Sequence, residues 1–235
     1  MKWAWAAVIA TIVVAAGIFV VRQVTAPDSP ATPNVGVQTI TRTPDPVSTT
    51  TAEPADPATE VVTVVAVDRA GNPAAGYRVT AGEEVDSCLP SGTDTGVVSC
   101  APAAAGASVC WVTPAPGVLL CGDEPWGKSL RRMTTAEPVS RTPSAGEAEP
   151  WGLELADGAK CQRRNGGAWD GRSDGLVGAY FCDREGEFVL AGDGPVVNRT
   201  EPAWTVKTGG LGAQDVSFPP PVDTRVVKAY FAASP

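Results

Sequence analysis

The chain contains no histidine. That absence excludes Ser-His-Asp and Cys-His nucleophiles, histidine metal sites and histidine pH switching. Carboxylate pairs, Ser-Lys arrangements and oxygen-ligated calcium stay open. A long basic run is also missing, and the formal net charge is -8. Nucleic-acid binding needs a basic face that neutralises phosphates, so no nucleic-acid partner is expected, and an anionic membrane surface is not expected as the main partner. Closely spaced cysteine pairs are lacking too. The gaps between Cys88, Cys100, Cys110, Cys121, Cys161 and Cys182 are 11, 9, 10, 39 and 20 residues. Zinc sites normally use pairs such as C-x2-C or add histidine, so no metal site and no cofactor is assigned, and the six cysteines read as disulfides.

What is present first is an apolar run of membrane length. Trp3 to Val21 are nineteen residues without a charge, close to the roughly 20 needed to cross about 30 Å of hydrocarbon. A removable signal peptide has a shorter apolar core and a small-x-small cleavage site. The nearest candidate, Val24-Thr25-Ala26, is followed by Pro27, which makes a poor peptidase substrate. Residues 1–22 are therefore expected to be a single transmembrane anchor, the chain being secreted only if that segment is cleaved. All six cysteines lie beyond the span, which puts the body of the chain in an oxidising extracytoplasmic space.

Residues 23–60 hold seven prolines, five acids, one arginine and no aromatic residue. Such a segment cannot bury enough apolar surface to offset its ordering entropy, and 23–59 reads as a stalk with a reach on the order of 35 Å as a flexible coil. A β-branched run from Val61 to Val67 then meets "DRAGNP", whose residues suit a turn, and Tyr77 to Thr80 can return as a second strand, which predicts a β-hairpin or the start of a meander. Short apolar strands follow around "GVVSC" and "GVLLC", and after a Pro/Ser/Glu-rich stretch at 134–150 they resume at Leu153 to Leu155, Leu176 to Cys182, Phe188 to Leu190, Trp204 to Val206 and Arg225 to Phe231. No helical 3.6-residue period appears after the anchor. The expected fold is mainly β: a small β-sandwich-like section at 60–133 with four cysteines, a linker at 134–150, and a β-rich section at 151–235 with one disulfide.

Four cysteines in the first section allow three connectivities. Cys88 with Cys100 and Cys110 with Cys121 are favoured because each pair brackets a short turn-containing segment, although a sandwich that cross-links its sheets would pair them otherwise. Cys161 with Cys182 is the remaining pair. Between them, "DGRSDG" places Asp170, Asp174 and Gly175 at positions 1, 5 and 6 of a calcium loop, but Arg172 at position 3 and Phe181 at position 12 break the pattern, so a turn with local Arg-Asp pairing is expected instead. The whole 161–182 segment reads as a stapled scaffold that brings Trp169 and "GAYF" into the core. "EPWG" occurs at 124–127 and again at 149–152, with "EPAW" at 201–204. The flanks do not match, so these are repeated turn-plus-aromatic anchors, and Trp126, Trp151 and Trp204 are expected to fill core rather than line a carbohydrate surface.

No residue qualifies as catalytic. Paired acids in a cleft would suit a wall-modifying hydrolase, but no spacing identifies them. Arg163, Arg164 and Arg172 are the candidate binding residues; with Lys128, Arg131 and Arg132 they would form a basic patch suited to an anionic wall polymer or a lipid headgroup. Asn198-Arg199-Thr200 fits a glycosylation sequon.

The stretch "EVVTVVAVDRAGNPAAGYRVTAG" at 60–82 resembles the opening of Cna-B-like and carboxypeptidase-regulatory-like β-sandwich modules, which implies scaffold rather than catalysis. "PWGLELADGAKCQRRNGGAWDGRSDGLVGAYFC", "PAWTVKTGGLGAQD" and "VVKAYFA" resemble a group of envelope proteins of high-GC Gram-positive (actinobacterial) bacteria. That resemblance implies an envelope location and supplies no site residues. The expected function is a membrane-anchored binding or structural module, its partner a cell-wall polymer or another envelope protein; the alternatives are a carboxylate-dependent hydrolase and an accessory subunit of a membrane complex. A retained anchor predicts that the chain stays with alkali-washed membranes and begins at Met1, whereas a mature amino terminus near Pro27 would show cleavage.

Overall fold

The computed structural model describes residues 56–91, 94–100, 106–136, 138–140, 147–164, 166, 170–212 and 216–235. The expected anchor, residues 23–55 of the stalk, and Trp169 lie outside them. Among the described residues the only regular elements are strands. They are β1 (Glu60–Val64), β2 (Arg78–Val85), β3 (Leu89–Pro90), β4 (Val97–Ser99), β5 (Val109–Val112), β6 (Val118–Gly122) and β7 (Ser129–Thr135). After the 134–150 stretch come β8 (Gly152–Leu155), β9 (Lys160–Arg163), β10 (Val177–Cys182), β11 (Phe188–Ala191), β12 (Val197–Asn198), β13 (Thr205–Gly209) and β14 (Val222–Ala232). The mainly β class is as the sequence predicts.

Strands β2 to β7 make an open sheet in the order β2-β7-β6-β5-β4-β3. The others form an eight-stranded sheet, β1-β14-β8-β9-β10-β11-β13-β12, with a further β13–β14 pairing. That pairing closes β14, β8, β9, β10, β11 and β13 into a ring of antiparallel neighbours, a small barrel whose interior is filled by side chains. Leu153, Leu155, Cys161, Tyr180, Val189, Val206 and Val226 pack together there. The long β14 serves three partners in succession: β13 along its first half, β8 along its second, and β1 on the edge.

The chain passes from the open sheet to the barrel between Thr135 of β7 and Gly152 of β8, with one exchange. β1 does not form a hairpin with β2; it lies parallel to β14, Glu60 opposite Lys228 and Val64 opposite Ala232. β2 lies parallel to β7. Only the tip of the expected hairpin exists, as a bridge between Val67 and Pro73. The turn itself is as its residues dictate: Asp68 accepts hydrogen bonds from the amides of Ala70 and Asn72 at 2.9 Å. Gly71 has φ +76° and lies so close to Pro114 that a Cβ would sit 2.3 Å from Pro114 Cδ, which only glycine tolerates. The turn reverses the chain, but parallel partners distant in sequence take both strands. Ala52–Pro235 is consequently one compact unit.

The end of the expected stalk is docked. Thr59 donates from its amide to Pro202 O and from its hydroxyl to Val226 O, and accepts from Trp204 N. Across β1, β14, β8 and β9 the register sets Glu60, Lys228, Glu154 and Lys160 side by side. Each alternating-charge contact on such a surface is worth well under about 1 kcal/mol, but a slipped register would face like charges.

All three disulfides are as the spacing predicts: Cys88–Cys100, Cys110–Cys121 and Cys161–Cys182. Cys110 faces Cys121 across β5 and β6, and Cys161 faces Cys182 across β9 and β10. Each closes a short loop and stabilises by roughly 2 to 4 kcal/mol. Within "GAYF", Tyr180 is buried but Phe181 is 42% exposed, as alternation along a barrel strand requires.

The carboxyl-terminal segment is latched to the open sheet. Asp94 accepts hydrogen bonds from Ser234 N and Ser234 Oγ, both 2.7 Å, and from Gly96 N at 2.8 Å. Burial would raise the Asp94 pKa, but these donors outweigh it and hold the carboxyl below its ordinary 3.8. A depressed folded-state pKa stabilises above the ordinary value, and that stabilisation is lost as pH falls through the folded value. Asp94→Asn should therefore lower the melting temperature at about pH 6, with the gap from the parent chain narrowing as the pH falls below the ordinary carboxyl value of 3.8. Melting curves of both proteins across that range check it; a gap that does not change with pH would contradict the latch.

Candidate functional site

An open cavity of about 430 Å³ is lined by Glu149, Arg163, Arg164, Gly166, Ala179, Tyr180 and Val196. It lies at the end of the barrel where β8 begins and β9 ends. Barrel mouths are a recurrent place for ligand sites, and this volume is within the usual range. The lining combines two guanidinium groups, one carboxylate and an apolar wall.

Local structure explains each placement. Arg163 ends β9, paired with Tyr180 of β10. Between Gly178 and Tyr180 the β10 register shifts, so Ala179 is an extra residue; its carbonyl accepts from Arg164 N at 2.9 Å. Bulges of this kind bend a strand and are common at barrel rims beside functional sites. Glu149 is held from both sides. Before it, Arg199 donates to Glu147 Oε1 at 2.7 Å and to Ala148 O at 2.9 Å, its guanidinium stacked over Trp204 and Phe231. After it, Tyr180 OH donates to Pro150 O at 2.8 Å and Trp151 N to Tyr230 O at 2.7 Å.

Electrostatically the mouth is basic on an acidic chain. Burial pushes the Tyr180 phenol well up, helped by the charge of Glu149 and opposed by Arg163 and Arg199. Tyr180 is therefore a neutral donor at any physiological pH. Oε2 of Glu149 is closed to solvent and has no hydrogen-bond partner among the described residues.

The structure brings together two of the three arginines read from the sequence. Arg172 does not belong with them, and this corrects the expected patch. Its side chain is 2% exposed, with Nη2 2.8 Å from Asp174 Oδ2 and donors spent on Gly210 O and Pro219 O, and it stacks over Phe218. Local Arg-Asp pairing in "DGRSDG" is as expected. Of the other cations, Arg131 is paired with Asp123 at 2.6 Å and Lys128 lies over the Tyr77 ring. Asn198 is exposed, its Oδ1 accepting from Thr200 N and Oγ.

Sequence reasoning missed Glu149 and Tyr180 as lining residues and Arg199 as their positioning cross-link. Glu149 was hidden in the expected linker; its membership of the second "EPWG" was the available signal. The larger cavity, about 530 Å³ over Leu190, Lys207 and Asp223, is less suited to a charged ligand because Lys207 and Asp223 pair with each other at 3.2 Å. No family model matches the chain, and neither a curated protein nor a solved structure matches it.

Arg172→Ala should destabilise the fold by about 2 kcal/mol or more, because it empties a buried side-chain site and removes the donors that join Asp174, Gly210 and Pro219. Denaturant unfolding measures this; an unchanged midpoint would show that Arg172 is not an internal cross-link.

Proposed function

We propose that the protein is an extracytoplasmic binding module, held at the cell membrane by residues 1–22, that recognises an anionic group of an envelope component through Arg163 and Arg164. The observation that carries this reading is the pair of guanidinium groups beside an apolar wall at the barrel mouth. Guanidinium forks match carboxylate and phosphate geometry and keep their charge when desolvated. The three disulfides support an oxidising compartment.

A binding role is favoured over a two-carboxylate hydrolase at this site by the lining itself. Glycoside hydrolysis requires two carboxyl groups about 5 to 10 Å apart, and Glu149 is the single acid lining the cavity among the described residues. Asp68, Asp94 and Asp174, whose pKa values move, all move down, each held by hydrogen bonds from its neighbours; a general acid needs the opposite shift.

The double variant Arg163→Glu, Arg164→Glu should lose at least about tenfold in retention on an anionic wall-polymer fraction, and retention of the parent chain should fall with added salt. Co-sedimentation, with a neutral polysaccharide as control, reads both. Equal retention of parent and variant would remove the cavity from the function.

A further inference from the structure

Alternation along its strands gives the open sheet two apolar faces. Trp111, Leu120 and Leu130 point to the core shared with the barrel, and Val98, Cys110, Leu119, Cys121 and Met133 point the other way. On that second face two disulfides stand side by side. The Sγ atoms of Cys100, Cys110 and Cys121 all lie within 4.8 Å of one another, although Cys100 is bonded to Cys88 and Cys110 to Cys121. Two staples need no such contact to stabilise their own strands.

Access to the pair is one-sided. Cys100, Cys110 and Cys121 are at most 1% exposed, whereas Cys88 is half-buried and follows the exposed Asp86 and Ser87. It precedes Leu89, which is 65% exposed in β3, the strand at the end of the sheet. A thiolate from outside therefore meets Cys88 first, and the sulfur it displaces is that of Cys100, inside. An ionised sulfur released into apolar surroundings is unfavourable, and a disulfide within its reach gives it a bond to make. The Cys161–Cys182 staple is the built-in contrast. It also joins a buried residue to a half-buried one, but no further cysteine sulfur clusters with it among the described residues.

We propose that Cys88, Cys100, Cys110 and Cys121 form a redox site whose substrate is a dithiol, with Cys88–Cys100 as the entry and Cys110–Cys121 as the acceptor. One thiolate of the dithiol attacks Cys88 Sγ; the Cys88–Cys100 bond breaks and its electron pair leaves on Cys100. Cys100 Sγ then attacks Cys110 Sγ, forming Cys100–Cys110 and releasing Cys121, which takes a proton. The second thiolate of the dithiol attacks its partner sulfur in the mixed disulfide and releases Cys88, which takes the other proton. The dithiol ends as a disulfide, having lost two electrons and two protons, and the chain ends with thiols at Cys88 and Cys121. Cys110 is the sulfur attacked because Val98 faces it in register, which sets Cys100 diagonally beside it, whereas Cys121 lies one strand further off on β6; a disulfide needs closely spaced backbones. Two electrons thus free the segment that leads into β3 while one bridge stays in the core.

The test is limited reduction of the full-length chain in detergent with one equivalent of dithiothreitol, trapping with N-ethylmaleimide and non-reducing peptide mapping. Exchange among chemically similar thiols is close to thermoneutral, so at least about one in ten of the chains labelled at Cys88 should carry the second label on Cys121 and a Cys100–Cys110 bridge. Chains opened at Cys161–Cys182 should be labelled on those two residues. Labels confined to Cys88 and Cys100, with Cys110–Cys121 intact, would overturn the relay. So would label on Cys121 only in chains where all four sulfurs are reduced, or no label at Cys88. A second measurement needs no reductant: Cys88→Ser leaves Cys100 as a thiol beside the intact Cys110–Cys121, and label should divide between Cys100 and Cys121 after incubation. Label on Cys100 alone would sink the proposal. Should Cys88→Ser fail to fold, the map of the parent chain decides alone.

Discussion

The contact on which the rest of the fold depends is the one Trp151 makes between the two sheets. Its ring meets Trp111 edge-on, centroids 5.8 Å apart, in space that exists because residue 122 is glycine. A Cβ there would lie 2.4 Å from the Trp151 ring. The reciprocal contact involves the other "EPWG": Gly152 leaves room for Pro125 and Trp126, where a Cβ would come within 2.5 Å and 2.9 Å. Trp126 in turn stands edge-on to Tyr230. The two copies of the tetrapeptide are thus packed against each other: Gly152 of the second accommodates Pro125 and Trp126 of the first, and Gly122, just before the first copy, accommodates Trp151 of the second. They and Val64, Leu120, Leu130 and Tyr230 form the core shared by both sheets. Burying indoles this completely is worth several kcal/mol each, roughly 25 cal/mol per Å² of apolar surface.

None of the three disulfides does that job. Each joins strands that are already hydrogen-bonded neighbours or the residues flanking such a pair, so the staples stiffen hairpins and leave the sheets to be held by side chains. Three devices supplement the tryptophans. β1 pairs with the carboxyl-terminal half of barrel strand β14 while the chain continues into the open sheet. Trp111 Nε1 donates to Ala233 O at 2.8 Å, and Gln162 of β9 donates from its side chain to Asp123 O beside β6. Reduction would loosen each sheet internally before it separated them.

What was legible in the sequence was local. Strands with a strong apolar run and a turn at each end, such as β8, β10, β11 and β14, lie within a few residues of their expected positions, and disulfides that close short hairpins follow from spacing. β9 was not legible, because Gln162 and Arg163 carry no apolar signal and the strand exists through its partners β8 and β10. The parallel pairings were not legible for the same reason: Glu60 and Lys228 are far apart in the chain, and no local pattern names a distant partner. The candidate site was half legible. Consecutive arginines drew attention to 163 and 164, but whether an arginine is a ligand-facing group or an internal cross-link depends on what surrounds it. Arg172 and Arg199 became cross-links because carbonyls, acids and rings gather round them.

The absence of histidine and the character of the mouth belong together. Guanidinium groups do not titrate near neutrality, and burial moves the Tyr180 phenol further from it. The phenol therefore keeps one protonation state across the physiological range. Such groups cannot shuttle protons near neutrality. The backbone that carries them is fixed: the bulge at Ala179 shapes the rim, and Tyr180 joins the barrel interior to Pro150. Pro150 precedes Trp151, so the wall of the cavity and the joint between the sheets are two faces of one short segment. Loosening the joint at Gly122 or Trp111 would shift Glu149 as well, making the cavity's geometry a property of the whole two-sheet unit rather than of the barrel alone.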